Sequence, residues 1–408
     1  MKVLIVHQNF PGQYLHLVRH LAQDPSNEVV AITQRRDVAL PGVKTVVYAP
    51  KRSVTAKQHH YLADTEAGIL NGQEVARVAL QLRNAGFVPD VMLGHNGWGE
   101  IWFLKDVYPK APLLGYFEFF YRLSGSDVGF DPASQPSFDD APRLRTKNIG
   151  NLLGLDAVDW GQCPTRWQRM QYPAHYQAIL HEVHEGIDTQ VVAPDPQASI
   201  RLAKAGIELK AGDEVVTYVA RNLETYRGFE RFMRALPTVL EKRPNAHVLI
   251  VGGDEVSYGP RLPKGETLRK RMLAEVGSSL DLGRVHFLGR VPYPSFLKVL
   301  QVSMVHVYLT YPFVLSWSML EAMSAGCLVV GSRTAPVEEV LRDGENGLLV
   351  DFCSPEQIAE RVVEALEAPN HHASVRVQAR KTVIERYDLR SICLPAQVLL
   401  VNRIAGRA

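Results

Sequence analysis

Residues 308–350, in the second half of the chain, alternate apolar runs with polar turns in the order strand, loop, helix, strand, short helix, turn, strand. The helix is expected to end at Gly326, because glycine readily takes the left-handed backbone found just past a helix end. The apolar run at 327–330 is typical of a strand that is buried in a parallel sheet. This stretch therefore predicts a parallel α/β sheet.

The loop that opens this helix carries Ser316, Trp317 and Ser318, and it predicts an anion site. The free N–H groups and the dipole of a helix both point at a ligand placed before the first turn. Glu321 lies one turn further on, where its carboxylate can accept protons from hydroxyl groups. A phosphate beside a diol describes a nucleotide or a nucleotide sugar. The alternative for Glu321 is a capping box with Ser318, and both interpretations can hold together.

The same stretch resembles the donor-binding signature of family 4 (group 1) retaining glycosyltransferases, which have the GT-B fold. The shared residues are Glu321-Ala322-Met323, Gly326, Val329-Val330, Glu339 and the run Asp343–Val350. The resemblance implies two doubly wound Rossmann-like α/β domains that face a cleft, with a C-terminal helix that crosses back to the first domain. It extends over nearly the whole chain, but it is strong only from about residue 215 to residue 350.

Two positions in this signature depart from the family pattern. The first glutamate of the family's Glu-x7-Glu pair falls at Phe313, and the resemblance implies that this position contacts the donor sugar. The loss of the glutamate leaves both the sugar and the activity open. The family's phosphate-loop glycine is replaced by Ser316, whose hydroxyl can add a donor to the backbone amides.

Arg221 and Arg227 follow the predicted strand 214–220 and are six residues apart. A guanidinium fork suits phosphate oxygens, although two loop arginines would most often simply be solvated. The resemblance implies that an arginine and a lysine with this spacing clamp the donor diphosphate. We therefore assign both arginines to the diphosphate, where they would also stabilise the leaving group during catalysis.

Three further residues are expected beside the donor. Gly253 follows the predicted strand 247–251, and it allows either a close backbone approach to a ligand or a turn. Arg290 lies in a segment that borders the nucleobase in the resemblance. Gly12 follows the first predicted strand, 3–6, near the acceptor and the donor phosphates in the resemblance; its alternative role is chain reversal at a Pro-Gly turn.

Two residues in the first half are predicted to contact the acceptor or the sugar. His95 follows the predicted strand 89–94, and ligands bind beyond such strand ends; a structural histidine is the alternative. Glu118 lies among aromatic residues after the predicted strand 113–116, near a position where the family usually has histidine. Desolvation by these aromatic residues is expected to raise the pKa of the Glu118 carboxyl, which would suit it to general acid–base catalysis. The alternative is an i,i+4 ion pair of Glu118 with Arg122.

The length, net charge and cysteine content of the chain limit the classes of protein to which it can belong. A length of 408 residues predicts about two to three domains, and the net charge of +2 is too small to indicate a nucleic-acid partner. No apolar run reaches the roughly 18 residues that span a bilayer, and the first ten residues do not read as a signal peptide. Four cysteines, at 163, 327, 353 and 393, lack metal spacing and predict reduced thiols in a cytoplasmic protein.

Peripheral contact with a membrane is also considered. Trp98, Trp102, Phe103 and Lys105 form an aromatic and basic group that can touch lipid, and a helix core is the alternative. A polar loop at 124–142 is long enough to have a function such as covering the acceptor.

The domain prediction divides the chain into three parts. Residues 1–190 form an acceptor-binding Rossmann-like domain, 191–213 a linker and 214–388 a donor-binding Rossmann-like domain, while the final helix within 389–408 packs back on the first domain.

The predicted activity is transfer of a sugar from a nucleoside-diphosphate sugar to a hydroxyl acceptor, which is a sugar, a lipid-linked sugar or a small molecule. The resemblance implies retention of anomeric configuration and no metal, and no cofactor is expected. A role in polysaccharide, lipopolysaccharide or glycolipid synthesis rests on family analogy. The alternatives are a catalytically impaired nucleotide-binding or partner protein, and a sugar-nucleotide epimerase.

Overall fold

The computed structural model describes residues 1–203, 205–259 and 262–407, which fall into two compact units. Unit 1 contains Met1–Gly186 and the described residues from Leu389 onward, and unit 2 contains Ile187–Asp388. Each unit has its own parallel sheet and its own buried core, so the predicted α/β class with two doubly wound sheets is confirmed.

The strands are numbered along the chain. They are β1 (Lys2–Val6), β2 (Glu28–Thr33), β3 (Val43–Val47), β4 (Val91–His95), β5 (Leu113–Tyr116), β6 (Trp160–Cys163), β7 (Leu180–Glu182), β8 (Ser199–Leu202), β9 (Ile207–Lys210), β10 (Val215–Asn222), β11 (His247–Gly253), β12 (Val285–Gly289), β13 (Val305–Tyr308), β14 (Leu328–Ser332) and β15 (Leu348–Val350).

The α-helices are numbered in the same way. They are α1 (Leu15–Gln23), α2 (Ala63–Asn84), α3 (Leu104–Val107), α4 (Asp140–Lys147), α5 (Ile149–Ala157), α6 (Arg166–Gln171), α7 (Phe229–Lys242), α8 (Leu268–Val276), α9 (Tyr293–Val302), α10 (Trp317–Ala325), α11 (Ala335–Glu338), α12 (Pro355–Glu367), α13 (Ala373–Tyr387) and α14 (Leu394–Ile404).

The sheet of unit 1 has the order β3-β2-β1-β4-β5-β6-β7, with every neighbouring pair parallel. Its central strands are apolar and buried because helices cover both faces. The strand order reverses between β1 and β4, and ligands of open α/β sheets bind at such a reversal, beyond the carboxyl ends of the strands. The loops after β1 and β4 therefore hold the candidate site of this unit.

The sheet of unit 2 is also parallel, and its strand order is β12-β11-β10-β13-β14-β15. Its strand order reverses between β10 and β13, so the loops after these two strands meet at the site edge. Helix α10 ends at Gly326, which takes a left-handed conformation with φ of 87°, as predicted.

The C-terminal helix α14 belongs to unit 1. Its Leu400, Val401 and Ile404 are buried in the same core cluster as β1 and α1. Gln397 adds a polar anchor, since its Nε2 donates to the carbonyl oxygens of His184 and Glu185 after β7. The predicted return of this helix to the first domain is confirmed.

Two sequence predictions of local structure are wrong. The segment 191–213 contains the antiparallel hairpin of β8 and β9, whose apolar side chains join a core cluster of unit 2, so it is not a simple linker. The predicted loop 124–142 extends too far, because α4 begins inside it and a second helix, α5, follows a break at Asn148. The side chain of Asn148 bonds the backbone N–H and C=O of Tyr121, a tertiary contact that the local pattern does not reveal.

The four cysteines, predicted to be reduced thiols, differ in burial. Cys163, Cys327 and Cys393 are buried, Cys353 is half-buried, and all four are free thiols.

Gly99 fixes the loop after β4 against α2. Its φ is 83°, and an added Cβ would lie 2.4 Å from Gly68 Cα. Gly86 is a matched control, because its φ is 89° and an added Cβ would meet nothing within 4 Å. We expect Gly86→Ala to lower the free energy of unfolding by about 1–2 kcal/mol through backbone strain alone, and Gly99→Ala to lower it by roughly 2 kcal/mol more through overpacking.

Urea titration followed by tryptophan fluorescence measures this difference, since Trp98, Trp102, Trp160 and Trp167 all lie in unit 1. Equal losses in the two variants would show that α2 does not hold this loop.

Candidate functional site

The predicted donor residues of unit 2 all lie at the carboxyl edge of its sheet. The strands and the loops that follow them place these residues there: Arg221 and Arg227 at the end of β10 and after it, Gly253 at the end of β11, Arg290 after β12, and Phe313, Ser316, Trp317, Ser318 and Glu321 between β13 and the middle of α10. The structure thus brings together on one edge the residues that the sequence assigned to one ligand.

Arg227 is the buried centre of this edge, with 7% of its surface exposed. Its Nη1 donates to Tyr308 Oη at 3.1 Å, to Thr310 Oγ1 at 2.8 Å and to the Val314 carbonyl oxygen at 3.0 Å. The ring of Tyr258 lies 5.6 Å from the guanidinium carbon. Within the part of the chain that the structure describes, no carboxylate forms an ion pair with this guanidinium. Its hydrogen bonds go to neutral oxygens, while the Glu224 carboxylate acts on it through its charge without an ion pair. A buried cation that lacks a direct anionic partner favours an anionic ligand.

Arg221 and Arg290 differ from Arg227 in their surroundings. The side chain of Arg221 is exposed at the end of β10. Arg290 Nη2 donates to Asn222 Oδ1 at 2.9 Å and pairs with Glu255 Oε2 at 2.6 Å. Gly253 makes this arrangement possible, because an added Cβ there would lie 2.8 Å from Arg290 Nε. Gly253 therefore supports Arg290 rather than leaving an open approach for a ligand.

The start of α10 is capped by Ser316, whose Oγ accepts the Ser318 N–H at 3.3 Å. The Ser316 N–H donates to Tyr308 Oη at 2.8 Å, so this amide and that of Ser318 are both bonded within the protein. The two serine hydroxyls lie 3.0 Å apart and can turn toward a ligand. The predicted capping box of Ser318 and Glu321 is wrong, because Ser318 lies inside the helix. The side chain of Trp317 is 42% exposed.

Glu321 lies on α10 with its carboxylate partly covered. Its Oε1 accepts the hydroxyl proton of Tyr293 at 2.8 Å. Burial raises the pKa of Glu321 to about 7, and the hydrogen bond from Tyr293 opposes that rise. A carboxylate in this condition accepts protons from ligand hydroxyls most strongly above neutral pH.

Phe313 is buried in an aromatic cluster. Its ring is edge-on to Tyr226 at 5.4 Å and to Tyr258 at 4.9 Å, and Tyr226 stacks on Tyr311 at 4.9 Å. These contacts give the position a packing role.

Glu224 was not identified from the sequence. It is buried, and its Oε2 accepts the backbone N–H groups of Ser257 at 3.2 Å and of Tyr258 at 2.9 Å. Its other oxygen, Oε1, has no hydrogen-bond partner among the described residues. This carboxylate holds the loop that covers Arg227, and an acidic residue between two clamp arginines was the available signal.

In unit 1, four polar side chains come together at the carboxyl ends of β1, β4 and β5. They are His7, Gln13, His95 and Glu118. Gln13 links two of them, since its Oε1 lies 2.8 Å from His7 Nε2 and its Nε2 donates to Glu118 Oε1 at 3.3 Å. His95 Nε2 lies 3.7 Å from Glu118 Oε2, and this buried nitrogen has no hydrogen-bond partner among the described residues. Glu118, one-third exposed at its side chain, is the member of this cluster that a ligand reaches from solvent.

The backbone fixes the tautomers of both histidines. His7 Nδ1 accepts the Asn9 N–H, and His95 Nδ1 accepts the Gly97 N–H, each at 2.9 Å. Each Nε2 therefore carries the proton, and burial lowers the pKa of His7 to about 3, which keeps that ring neutral. His95 thus has the backbone contact of a structural histidine, the alternative considered above, and that contact comes from an N–H group.

Gly12 and Arg122 also find definite places in unit 1. Gly12 has φ of 47°, and an added Cβ would lie 2.4 Å from His7 Nε2, so the glycine lets the loop close over that ring. Arg122 donates to the carbonyl oxygens of Gln171 and Met170, and residues 117–122 are not helical. The alternative i,i+4 pair of Glu118 with Arg122 is therefore wrong.

The aromatic group considered for lipid contact is largely internal. Trp102 is buried and its Nε1 donates to Asn96 Oδ1 at 3.0 Å, while Lys105 pairs with Asp159 at 2.8 Å. The alternative of a helix core is correct for Trp102. In the described residues, no α-helix has the length and hydrophobicity to span a membrane, and no cluster of three or more potential metal ligands occurs. Independence from metal and cofactors stays a prediction.

Two family models match this chain. One, described as Glycosyl transferase family 4 group, matches residues 25–192, and the other, described as Glycosyl transferases group 1, matches residues 200–382. A GDP-mannose-dependent alpha-(1-6)-phosphatidylinositol monomannoside mannosyltransferase of Mycolicibacterium smegmatis is 25% identical over 335 residues, which cover 78% of this chain and 80% of that protein. A D-inositol 3-phosphate glycosyltransferase of Corynebacterium glutamicum is 23% identical over 272 residues, 65% of this chain and 60% of that protein.

Solved structures show the fold. Anabaena HepE in complex with UDP and glucose aligns with a TM-score of 0.67 at 14% identity, covering 98% of this chain and 99% of that chain. Sucrose-phosphate synthase from Thermosynechococcus elongatus aligns with a TM-score of 0.71 at 15% identity, covering 100% of both chains. The fold expected from the sequence, GT-B, is confirmed.

Glu100 lies beneath the unit 1 site and is fully buried. Its carboxylate accepts from Tyr48 Oη at 2.6 Å and from the Gln8 N–H at 3.0 Å, and burial raises its pKa to about 7. The folded state therefore binds this proton more tightly than the unfolded state does. We predict that ionisation of Glu100 removes on the order of 3 kcal/mol of stability as the pH rises from about 4.5 to about 7.

Glu100→Gln removes this titration and leaves the other groups in place. Relative to the wild type, the variant should gain free energy of unfolding as the pH rises through that window, measured by urea titration at several pH values. A difference that is constant with pH would contradict the assignment.

Proposed function

The chain belongs to the group 1 (family 4) glycosyltransferases of the GT-B fold, and from this premise we propose that it transfers a hexose from a nucleoside-diphosphate sugar to a hydroxyl acceptor. The observation that supports the donor part of this proposal is the buried guanidinium of Arg227 at the switch point of the unit 2 sheet, whose hydrogen bonds go to neutral oxygens. A diphosphate would give this guanidinium a directly bonded anionic partner.

The proposed donor roles follow from position and chemistry. Arg227 and the exposed Arg221 bind the diphosphate, and the hydroxyls of Ser316 and Ser318 add hydrogen bonds. Glu321 accepts protons from the ribose hydroxyls. When the bond between the anomeric carbon and the diphosphate oxygen breaks, the negative charge on the leaving group rises, and the arginines stabilise it more than they stabilise the ground state.

The proposed acceptor and sugar roles fall to the unit 1 cluster. Glu118 Oε2 accepts a hydrogen bond from a hydroxyl of the sugar or acceptor that does not react, and His95 donates to the same hydroxyl oxygen through its unpartnered Nε2–H. Gln13 and neutral His7 hold the carboxylate in place. The acceptor oxygen bonds to the anomeric carbon as the diphosphate leaves, and the proton of the acceptor hydroxyl goes to the departing phosphate oxygen.

Retention of anomeric configuration is part of this proposal and rests on the family. We expect slow hydrolysis of an α-linked donor, without an acceptor, to release the α-anomer first. Proton NMR of the anomeric signal, recorded before mutarotation, checks this, and release of the β-anomer first would contradict retention.

Relatives narrow the substrates that should be tried first. One mannosyltransferase relative is named for GDP-mannose and a phosphatidylinositol mannoside, and other relatives are named for D-inositol 3-phosphate. We propose a nucleoside-diphosphate hexose as donor and a sugar or cyclitol hydroxyl, free or lipid-linked, as acceptor. Assembly of a polysaccharide, lipopolysaccharide or glycolipid in the cytoplasm, with peripheral membrane contact, is the broader role that we propose.

The donor proposal is tested by ligand binding. GDP, UDP, ADP, dTDP and their sugars are screened for a rise in melting temperature, since a ligand at 100 times its Kd adds about 2.7 kcal/mol to the folded state. We expect one base to be preferred and the affinity for its diphosphate to fall roughly a hundredfold in Arg227→Ala, because a buried hydrogen-bonded charge is lost.

Three further variants make this test specific. Arg227→Lys keeps the charge but loses the fork, and it should bind with intermediate affinity. Arg221→Ala tests the exposed arginine with little risk to folding. Arg234→Ala removes an exposed arginine that pairs with Glu275 on α8, and it should bind like the wild type. No shift with any nucleotide, on folded protein, would falsify the donor proposal.

The aromatic contacts of Phe313 favour one second candidate, a protein that binds nucleotide sugars without transferring them. Nucleotide binding with no turnover, across a panel of sugar and inositol phosphate acceptors, would support it. The epimerase alternative predicts an isomerised nucleotide sugar with no acceptor present, and no structural observation favours it.

A further inference from the structure

Tyr293 takes no part in the roles assigned above, yet it touches one of the site residues. It is the first residue of α9 and lies three positions after Arg290, beside the loop that ends β12. Its side chain is half exposed, and its hydroxyl donates to Glu321 Oε1 at 2.8 Å. Tyr293 therefore connects the edge of the unit 2 site to the carboxylate on α10.

This hydrogen bond determines which oxygen of Glu321 is available. Among residues 1–203, 205–259 and 262–407, no second side chain bonds the carboxylate, so Oε1 is taken by Tyr293 and Oε2 is left for a ligand. A hydrogen bond to a charged acceptor is among the stronger side-chain bonds, and it fixes the plane of the carboxylate. Without the hydroxyl, the buried carboxylate would lose its one donor and become easier to protonate.

We propose that Tyr293 is a positioning residue for the donor nucleoside: its hydroxyl orients Glu321 so that Oε2 accepts the proton of one ribose hydroxyl. This inference rests on the proposed nucleotide-sugar donor. It also makes the site selective, because a carboxylate held through one oxygen can bind a ribose better than a sugar that lacks the 2′ and 3′ hydroxyls.

The charged groups around Glu321 allow a clean measurement. Burial and the Tyr293 hydroxyl set the pKa of Glu321 near 7. Burial raises the pKa of the Tyr293 phenol, and the charges of Glu321 and Asp188 raise it further. Arg380 of α13 points its guanidinium at the carbonyl oxygens of Ser324 and Thr189 rather than at the carboxylate. The terminal phosphate of a nucleoside diphosphate also ionises at about pH 6. The contribution of Glu321 to the pH dependence of nucleotide binding is therefore the part that Glu321→Gln removes.

The first test compares Tyr293→Phe with the wild type, since phenylalanine keeps the ring and removes only the hydroxyl. Calorimetry measures the Kd of GDP and UDP, and of their 2′,3′-dideoxy analogues, at pH 8. We expect the wild type to bind the preferred ribonucleotide about tenfold more tightly than its dideoxy analogue, and the variant to show a preference of about twofold. A purely structural role of Tyr293 would weaken both ligands equally and leave the preference at tenfold.

The second test follows the same Kd from pH 6 to pH 9. Wild-type affinity should rise as Glu321 ionises, and the midpoint of that rise should move to higher pH in Tyr293→Phe because the carboxylate has lost its donor. Glu321→Gln should remove the component at about pH 7 and keep only the rise that comes from ionisation of the terminal phosphate at about pH 6. Tyr61→Phe is the matched control, because it removes a tyrosine–carboxylate hydrogen bond, to Asp139, in unit 1.

The outcomes separate this inference from the function on which it rests. If the wild type binds no nucleotide, the proposed donor fails. If the wild type binds and discriminates ribose, but Tyr293→Phe keeps both the tenfold preference and the midpoint, the positioning role of Tyr293 is wrong while the donor stands.

Discussion

A buried cation that is hydrogen-bonded to neutral oxygens organises the edge of unit 2. The Arg227 guanidinium is held by a tyrosine hydroxyl, a threonine hydroxyl and one carbonyl oxygen, all of them uncharged. The same Tyr308 hydroxyl accepts the N–H of Ser316, so one hydrogen-bonded chain runs from the loop after β10 to the cap of α10. Removing water from an unpaired charge costs free energy, and an anionic ligand at this edge would offset that cost.

Most of the fold follows from the sequence. The apolar runs, the glycine at 326 and the strand–loop–helix order predict two parallel sheets, because strands buried on both faces must be apolar along their whole length. The hairpin at 199–210 and the helix break at Asn148 were missed. Each depends on contacts with residues distant in the chain, and local pattern carries no information about such contacts.

The sequence predicted which residues form the site, but it did not predict their burial or their hydrogen bonds. Residues after successive parallel strands converge at one edge, and this rule alone groups Arg221, Arg227 and Glu321. The sequence does not show that Arg227 is buried and hydrogen-bonded to neutral oxygens while Arg221 is exposed, because burial depends on the side chains that cover each arginine. The network of His7, Gln13, His95 and Glu118 depends on rotamers and tautomers, and the bond from Tyr293 joins two helices whose packing the sequence does not show.

A crystal structure of the protein with the nucleoside diphosphate that stabilises it most would show directly how the donor binds. We expect the diphosphate oxygens to lie within hydrogen-bond distance of the Arg227 and Arg221 side chains, and a ribose hydroxyl to donate to Glu321 Oε2. A nucleotide bound elsewhere, with the Arg227 guanidinium still bonded only to Tyr308, Thr310 and Val314, would contradict the claim that this buried cation is the anchor of the donor.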